Sequence, residues 1–215
     1  FDDVTQKRSE EKEWNTIDHY ITLRSGHKMV EIETWVNNAS EDHRLRMHVP
    51  TGSDSKTVHA GAAFDVIERP ANWPHHSDWE QPHVPTHHFS DLLIAQEKDG
   101  GVALFCPGSN EYEAVTSDSG TTLVVTLLRA TGYLSRDGFA SRRNRAGPVF
   151  SAPGAQCKGS QWTRWAIMAF EDDWCESEIH QVSEAYACNA SVLNGLPKPQ
   201  LDGEFDEACT FGRRG

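Results

Sequence analysis

The chain has 215 residues, with 32 acidic against 20 basic side chains, a formal net charge of −12, and 37% hydrophobic residues. That balance gives a globular chain long enough to bury a core, and it disfavours nucleic acid and anionic membrane as partners, because both carry the same sign of charge. No apolar run approaches the roughly 18 residues that a membrane-spanning helix needs.

Residues 1–13 are charged and read as a solvated arm. His19–Leu23, Met29–Val36 and Arg44–Val49 then read as strands separated by the turns Arg24–His27 and Asn37–Asp42. In the third, Leu45, Met47 and Val49 fall on one face and Arg44, Arg46 and His48 on the other, the alternation of a sheet with one buried side. Residues 70–90 hold four prolines, five histidines and two tryptophans without a clear period, and predict a long structured loop at a functional or interfacial position. Strand signals return at Gly101–Cys106 and at Thr121–Leu128. The second is nearly all apolar and predicts a central strand covered on both faces. Residues 131–160 predict a second long loop, Trp162–Phe170 another strand, and Cys175–Asn189 one short helix on a 3.6-residue period. Many short strands and at most one helix predict an all-β fold, a large antiparallel β-sandwich over 1–194, with 195–215 as a C-terminal strap or tail.

Five cysteines (106, 157, 175, 188 and 209) are odd in number, widely spaced and without a CxxC pair. They fit reduced thiols in a cytoplasmic protein better than a disulfide framework or a zinc knuckle.

Four segments in register resemble the C-terminal region of glycoside hydrolase family 38, the α-mannosidases and mannosylglycerate hydrolases. They are Phe64–Pro70, Gly101–Glu113, Thr126–Arg136, and Ala146–Pro148 running on to Pro153–Cys157. The resemblance implies a galactose-mutarotase-like β-supersandwich that follows an α/β barrel and a helical bundle. It further implies retaining hydrolysis of α-mannosides, with zinc on the sugar's 2- and 3-hydroxyls and an aspartate nucleophile. Those residues belong to upstream barrel motifs with no match here, so no catalytic residue, metal ligand or cofactor is assigned to this chain. Zinc is expected in the barrel of the parent enzyme. The implied partners are that barrel and an α-mannoside substrate, with no nucleic acid and no membrane; a homo-oligomer stays open. A free-standing carbohydrate-binding or oligomerisation module is the alternative.

Two loops carry the candidate site residues. Tyr133, Arg136, Asp137, Arg142, Arg143 and Asn144 lie on the glycine- and arginine-rich loop after the central strand. Arginine forks suit carboxylates and sugar hydroxyls, so this loop is expected to contact substrate in the full enzyme. Glu68, Arg69, Trp73, Trp79, His83 and His87 are the interface candidates, with the tryptophans as anchors and the histidines lending pH sensitivity. His75, His76, His83, His87 and His88, with Asp78, Glu80 and Asp91 nearby, have zinc-compatible chemistry but match no compact zinc motif. Glu68 is expected to pair with an arginine and fix a turn. Glu111 and Glu113 are expected on one strand face, with Tyr112 pointing inward.

Overall fold

The computed structural model describes residues 10, 12–73, 79, 83–137 and 145–188. Arg142, Arg143, Asn144, His75, His76, Asp78, Glu80 and the 195–215 tail lie outside the described residues. The fold is mostly β, with eleven strands and one helix among the described residues: β1 (Thr16–Leu23), β2 (Met29–Asn38), β3 (Arg44–Pro50), β4 (Thr57–Gly61), β5 (Val66–Pro70), β6 (Thr86–His88), β7 (Asp91–Glu97), β8 (Gly100–Cys106), β9 (Glu111–Ser117), β10 (Gly120–Arg129), β11 (Gly159–Phe170) and α1 (Ile179–Ala187).

All strand pairings are antiparallel. They build a seven-stranded sheet in the order β1-β2-β11-β8-β7-β4-β5 and a four-stranded sheet in the order β3-β10-β9-β6. The period of two decides which residues meet between them. From the small sheet Val49, Tyr112, Leu123 and Val125 point inward, to meet Val58, Leu93, Ala95, Leu104 and Cys106 of the large sheet. Each fully buried valine or leucine among them contributes about 1.5–3 kcal/mol of transfer free energy. On the opposite face of the large sheet Leu92, Ile94, Ala103, Phe105, Ala166 and Met168 pack under Ile179 of α1. Being covered on both faces, β7 and β8 carry the unbroken apolar runs Leu92–Ala95 and Ala103–Cys106 in place of alternation. Cys106 sits in the core between the sheets with no exposure, and burial pushes its thiol far above the usual range.

The hairpin turns depend on glycine at two points. Gly100 (φ +129°) closes the β7–β8 turn, and a Cβ there would collide with the Phe170 carbonyl. Gly120 (φ +102°) closes β9–β10 against the Ser53 backbone.

β10 is the central strand expected from its composition, with Leu123, Val124 and Val125 fully buried. β4, β5 and β7 were not read from the sequence; β4 and β5 are only five residues long. Glu68 and Arg69 lie in β5, not in a turn. As strand neighbours they point to opposite faces, and Glu68 makes no ion pair among the described residues. Arg69 instead donates from Nη1 to the His88 carbonyl at 3.1 Å.

The β1-β2-β11 wing is open on its free side. All eight residues of β1 are exposed, leaving Ile17, Ile21 and Leu23 in register with Val36, Ile32 and Val30 but uncovered. One polar knot links the three strands of the wing: Trp165 donates from Nε1 to Thr34 Oγ1 at 2.9 Å, and His19 Nδ1 lies 2.9 Å from the same hydroxyl.

Candidate functional site

At one end of the small sheet the two candidate loops meet. A cleft of about 600 Å³ is lined by Asp42, His43, Arg44 and Glu111, by Val84 and Thr86 from the histidine-rich segment, and by Arg129 through Leu134 with Arg136. The β10 strand delivers its loop there directly, because Arg129 ends the strand opposite Arg44 of β3.

The loop after β10 is held by a polar bracket. Asp42 Oδ1 accepts from Gly132 N at 3.0 Å and from Gln156 Nε2 at 2.9 Å, while Gln156 Oε1 accepts from Asp42 N at 2.9 Å. Asn38, buried, donates from Nδ2 to the carbonyls of Gln156 and Cys157, both at 3.0 Å. Thr131 N donates to Ala155 O, and Tyr133 bridges to Ser151. The Gln156 amide holds the Asp42 carboxyl below its ordinary range, helped by Gly132 N–H and Arg136 and opposed by partial burial. Asp42 reaches this geometry with a left-handed backbone, φ +48°. An aromatic residue (Tyr133) and an arginine (Arg136) thus line the same cleft as Glu111.

Glu111 is fixed in turn. Its Oε1 accepts from Arg44 Nη1 at 2.9 Å and from the Thr126 hydroxyl at 2.7 Å. Glu113, two residues on and on the same face, pairs with Arg46. Tyr112 between them points inward and is 1% exposed, the orientation expected from strand alternation.

The second loop is held by rings. Trp73 stacks on His83 and makes a tilted contact with His87, each with its centroid 5.0 Å away, so the three rings form a triangle. His83 lies 5.6 Å from His87, Trp79 meets His83 edge-on at 6.3 Å, and His87 leans on Tyr112 at 5.8 Å. Tyr112 in turn meets buried Phe89 edge-on at 5.6 Å. Nε2 of both His83 and His87 is buried without a hydrogen-bond partner among the described residues. Burial holds the His87 pKa below the usual histidine value, and the nearby Arg69 and His83 add to the effect. Burial likewise raises the Tyr112 phenol, with Arg69 acting against it.

Of the candidates, Tyr133 and Arg136 line the cleft, and Asp137 Oδ1 caps Arg145 N at 3.1 Å nearby. Arg69, Trp73, Trp79, His83 and His87 do not line the cleft; the rings form a separate cluster that reaches Tyr112 through His87. Glu68 joins neither group. Among the described residues no three His, Cys, Asp or Glu side chains converge where a metal ion could sit. Sequence reasoning missed Asp42, Gln156 and Asn38. Asp42 stands in a recognisable turn cluster, but its partner is 114 positions away.

The fold and site define a β-sandwich that presents a polar, arginine-bearing cleft at one end. The family described as glycosyl hydrolases family 38 C-terminal domain matches residues 1–137, and the chain belongs to it. It is 28% identical over 173 residues to a Halalkalibacterium halodurans protein named for mannosylglycerate hydrolysis, matching 80% of this chain and 17% of that protein. Two Enterococcus faecalis structures align over 80% of this chain and 18% of theirs at 27% identity: a family 38 glycosyl hydrolase protein (TM-score 0.62) and an alpha-mannosidase (TM-score 0.65). The chain therefore spans about a sixth of the length of these relatives.

Proposed function

We propose that this chain is the C-terminal β-sandwich of a retaining, zinc-dependent α-mannosidase-type glycosidase, bracing a catalytic barrel of the same polypeptide and lending the 131–137 loop to the sugar site. The observation that carries this reading is the alignment of 80% of the chain with a small fraction of much longer family 38 proteins. The zinc that would polarise sugar hydroxyls, and the nucleophilic aspartate, are assigned to the barrel, where the family resemblance places them. What this chain's own residues supply is positioning. Arg136 offers a planar fork of donors, Tyr133 offers a ring face and a hydroxyl, and the Asp42–Gln156 bracket holds both in place before substrate arrives, which lowers the entropic cost of binding. The aliphatic row Ile17, Ile21 and Leu23 on β1 is the surface against which other parts of the polypeptide would be braced.

Hydrolysis of an aryl α-mannoside tests the assignment. The chain alone is expected to give no turnover, and a longer polypeptide carrying the barrel is expected to give chelator-sensitive turnover. In that polypeptide Arg136→Ala should raise KM about tenfold, equivalent to ~1.4 kcal/mol of binding, with kcat changed less. Turnover by the 215-residue chain alone, abolished by a chelator, would overturn the reading.

A further inference from the structure

Cross-strand register brings three aromatic residues onto one open face of the β1-β2-β11 wing. In β2 the even positions Ile32, Thr34 and Val36 are buried, so Glu31, Glu33 and Trp35 point to the opposite, outer face. Trp35 is paired with Trp162 of β11, and the two rings stack with centroids 6.0 Å apart at 22°. On the other side of β2, Asp18 is paired with Trp35 and Tyr20 with Glu33. That sets Tyr20 diagonal to Trp35, about 7–8 Å away by strand geometry. Tyr20, Trp35 and Trp162 are 61%, 43% and 59% exposed. Aromatic rings gathered in this way mark a binding surface more often than rings scattered singly.

The face also carries charge. Glu31 is paired with Arg24, and Arg164 donates from Nη2 to the Ala187 carbonyl at 3.0 Å and lies over the Tyr186 ring. Asp18 and Glu33, beside the rings, form no ion pair among the described residues. α1 covers the outer face over Ala166 and Met168, and its last turn reaches Arg164. Trp162 is the next outward residue of β11, so the polypeptide leaves α1 at the margin of the aromatic patch. Residues 189–215 lie outside the described residues, but their sequence is informative. Their two prolines fall in Leu196-Pro197-Lys198-Pro199. A proline disfavours helix at the residue before it, so Leu196 and Lys198 are both expected to be extended. In a polyproline II conformer residues three apart share an edge, which puts Leu196 and Pro199 on one edge and Lys198 on the next. Leu196 is eight residues beyond Cys188. At about 3.1 Å per residue that is a reach of roughly 25 Å, several times the spacing of alternate residues along β11.

We infer that the outer face of the wing is the docking surface for the chain's own Leu196–Pro199 segment, with Leu196 and Pro199 against the Trp35–Trp162 stack and the Lys198 ammonium at Asp18 and Glu33. A proline ring is flat and apolar and packs on an indole face, and its preset backbone loses little entropy on docking. The tether supplies an effective concentration in the millimolar range, so a weak contact is enough to hold the segment. A second copy is a poorer occupant, because it would bring its own Asp18 and Glu33 and a net charge of −12 to an acidic face. The surface lies on the opposite side of the wing from the Ile17, Ile21 and Leu23 row and needs neither a barrel nor a substrate, so it goes beyond the function proposed above.

Carbodiimide coupling of the dilute 215-residue chain tests it, because the reagent joins an amine to a carboxylate only where the two are in contact. Peptide mass mapping then identifies the pairs. An amide between Lys198 Nζ and Asp18 or Glu33 is expected in the monomer band. Leu196→Ala combined with Pro199→Ala, a change outside the strands of the sandwich, should lower its yield roughly tenfold, equivalent to ~1.4 kcal/mol of contact. Trp162→Ala should do the same in a variant whose circular dichroism matches the parent, and Arg213→Ala should leave the yield unaltered. Coupling of Lys198 only to carboxylates elsewhere overturns the inference. So does coupling confined to a dimer band, as a second copy on this face would give, and so does a yield that neither the tail variant nor Trp162→Ala changes. Aryl-mannoside turnover, the test of the proposed function, is a different measurement, and either can fail without the other.

Discussion

The two loops that meet at the cleft are held by opposite means. The loop after β10 hangs on a few directional bonds: a carboxylate, two amides and backbone groups arranged around Asp42 and Gln156. The histidine-rich segment is held by a run of rings from Trp79 through His83, Trp73 and His87 to Tyr112 and Phe89. Hydrogen bonds fix position sharply but depend on each partner being present. Ring packing spreads its energy over area and tolerates small shifts. The loop that presents Tyr133 and Arg136 is therefore the sharply positioned one, and the loop behind it is a packed support. The two also respond to acid in different ranges, because one rests on a carboxylate and the other on imidazoles.

Breaking the ring support should have the largest effect. Tyr112→Ala removes a buried ring shared by the sandwich core and the stack, and is expected to cost about 3–4 kcal/mol in urea unfolding. A smaller loss would mean that the segment contributes little to the fold. Gln156→Ala strips Asp42 of its reciprocal partner and should cost about 2 kcal/mol, from one charge-assisted and one neutral hydrogen bond. In this variant the amide protons of Gly132 and Thr131 should exchange faster with solvent, while those of the core positions Leu123 and Val125 stay protected. Uniformly faster exchange would show that the bracket is not local.

Acid sharpens the contrast. His87 has a folded pKa below its unfolded value, so the unfolded chain binds the proton first. Stability should be full above about pH 6.5 and fall as the pH drops from there through the lowered folded value. His87→Gln should remove that part of the slope in a series of unfolding curves. Asp42, lowered from 3.8, contributes stability that is present above its unfolded pKa and lost as the pH falls through the folded one. Asp42→Asn should flatten only this lower range, and this is the smaller effect because the group is solvent-exposed. If the two variants altered the same pH range, the two supports would not be separate.

Much of the fold was legible because period-two patterns are local. Leu45, Met47 and Val49 inward, Arg44 and Arg46 outward, and Tyr112 buried between Glu111 and Glu113 all follow from alternation. α1 followed from its 3.6-residue spacing. β7 was not read from the sequence, although its run Leu92–Ala95 is as unbroken as that of β8; neither alternates. The cause is α1, packed on the outer face of the large sheet and distant in sequence. The site divided in the same way. Tyr133 and Arg136 were recognisable from composition and family likeness. The Asp42–Gln156 pair joins segments far apart in the chain, and no local pattern encodes it. Glu68 beside Arg69 suggested an ion pair, whereas strand geometry sends the two side chains to opposite faces.

Cys106 gives the molecule an internal timer. Its sulfur lies where the two sheets interlock, sealed from solvent and held as the unreactive thiol, whereas Cys175 and Cys188 sit in the open. An alkylating reagent has direct access to the outer thiols but must wait for the layers to part before it reaches the inner one. Mass-resolved labelling of the peptide that carries Cys106 therefore clocks separation of the sheets in the unmodified protein, without any introduced probe.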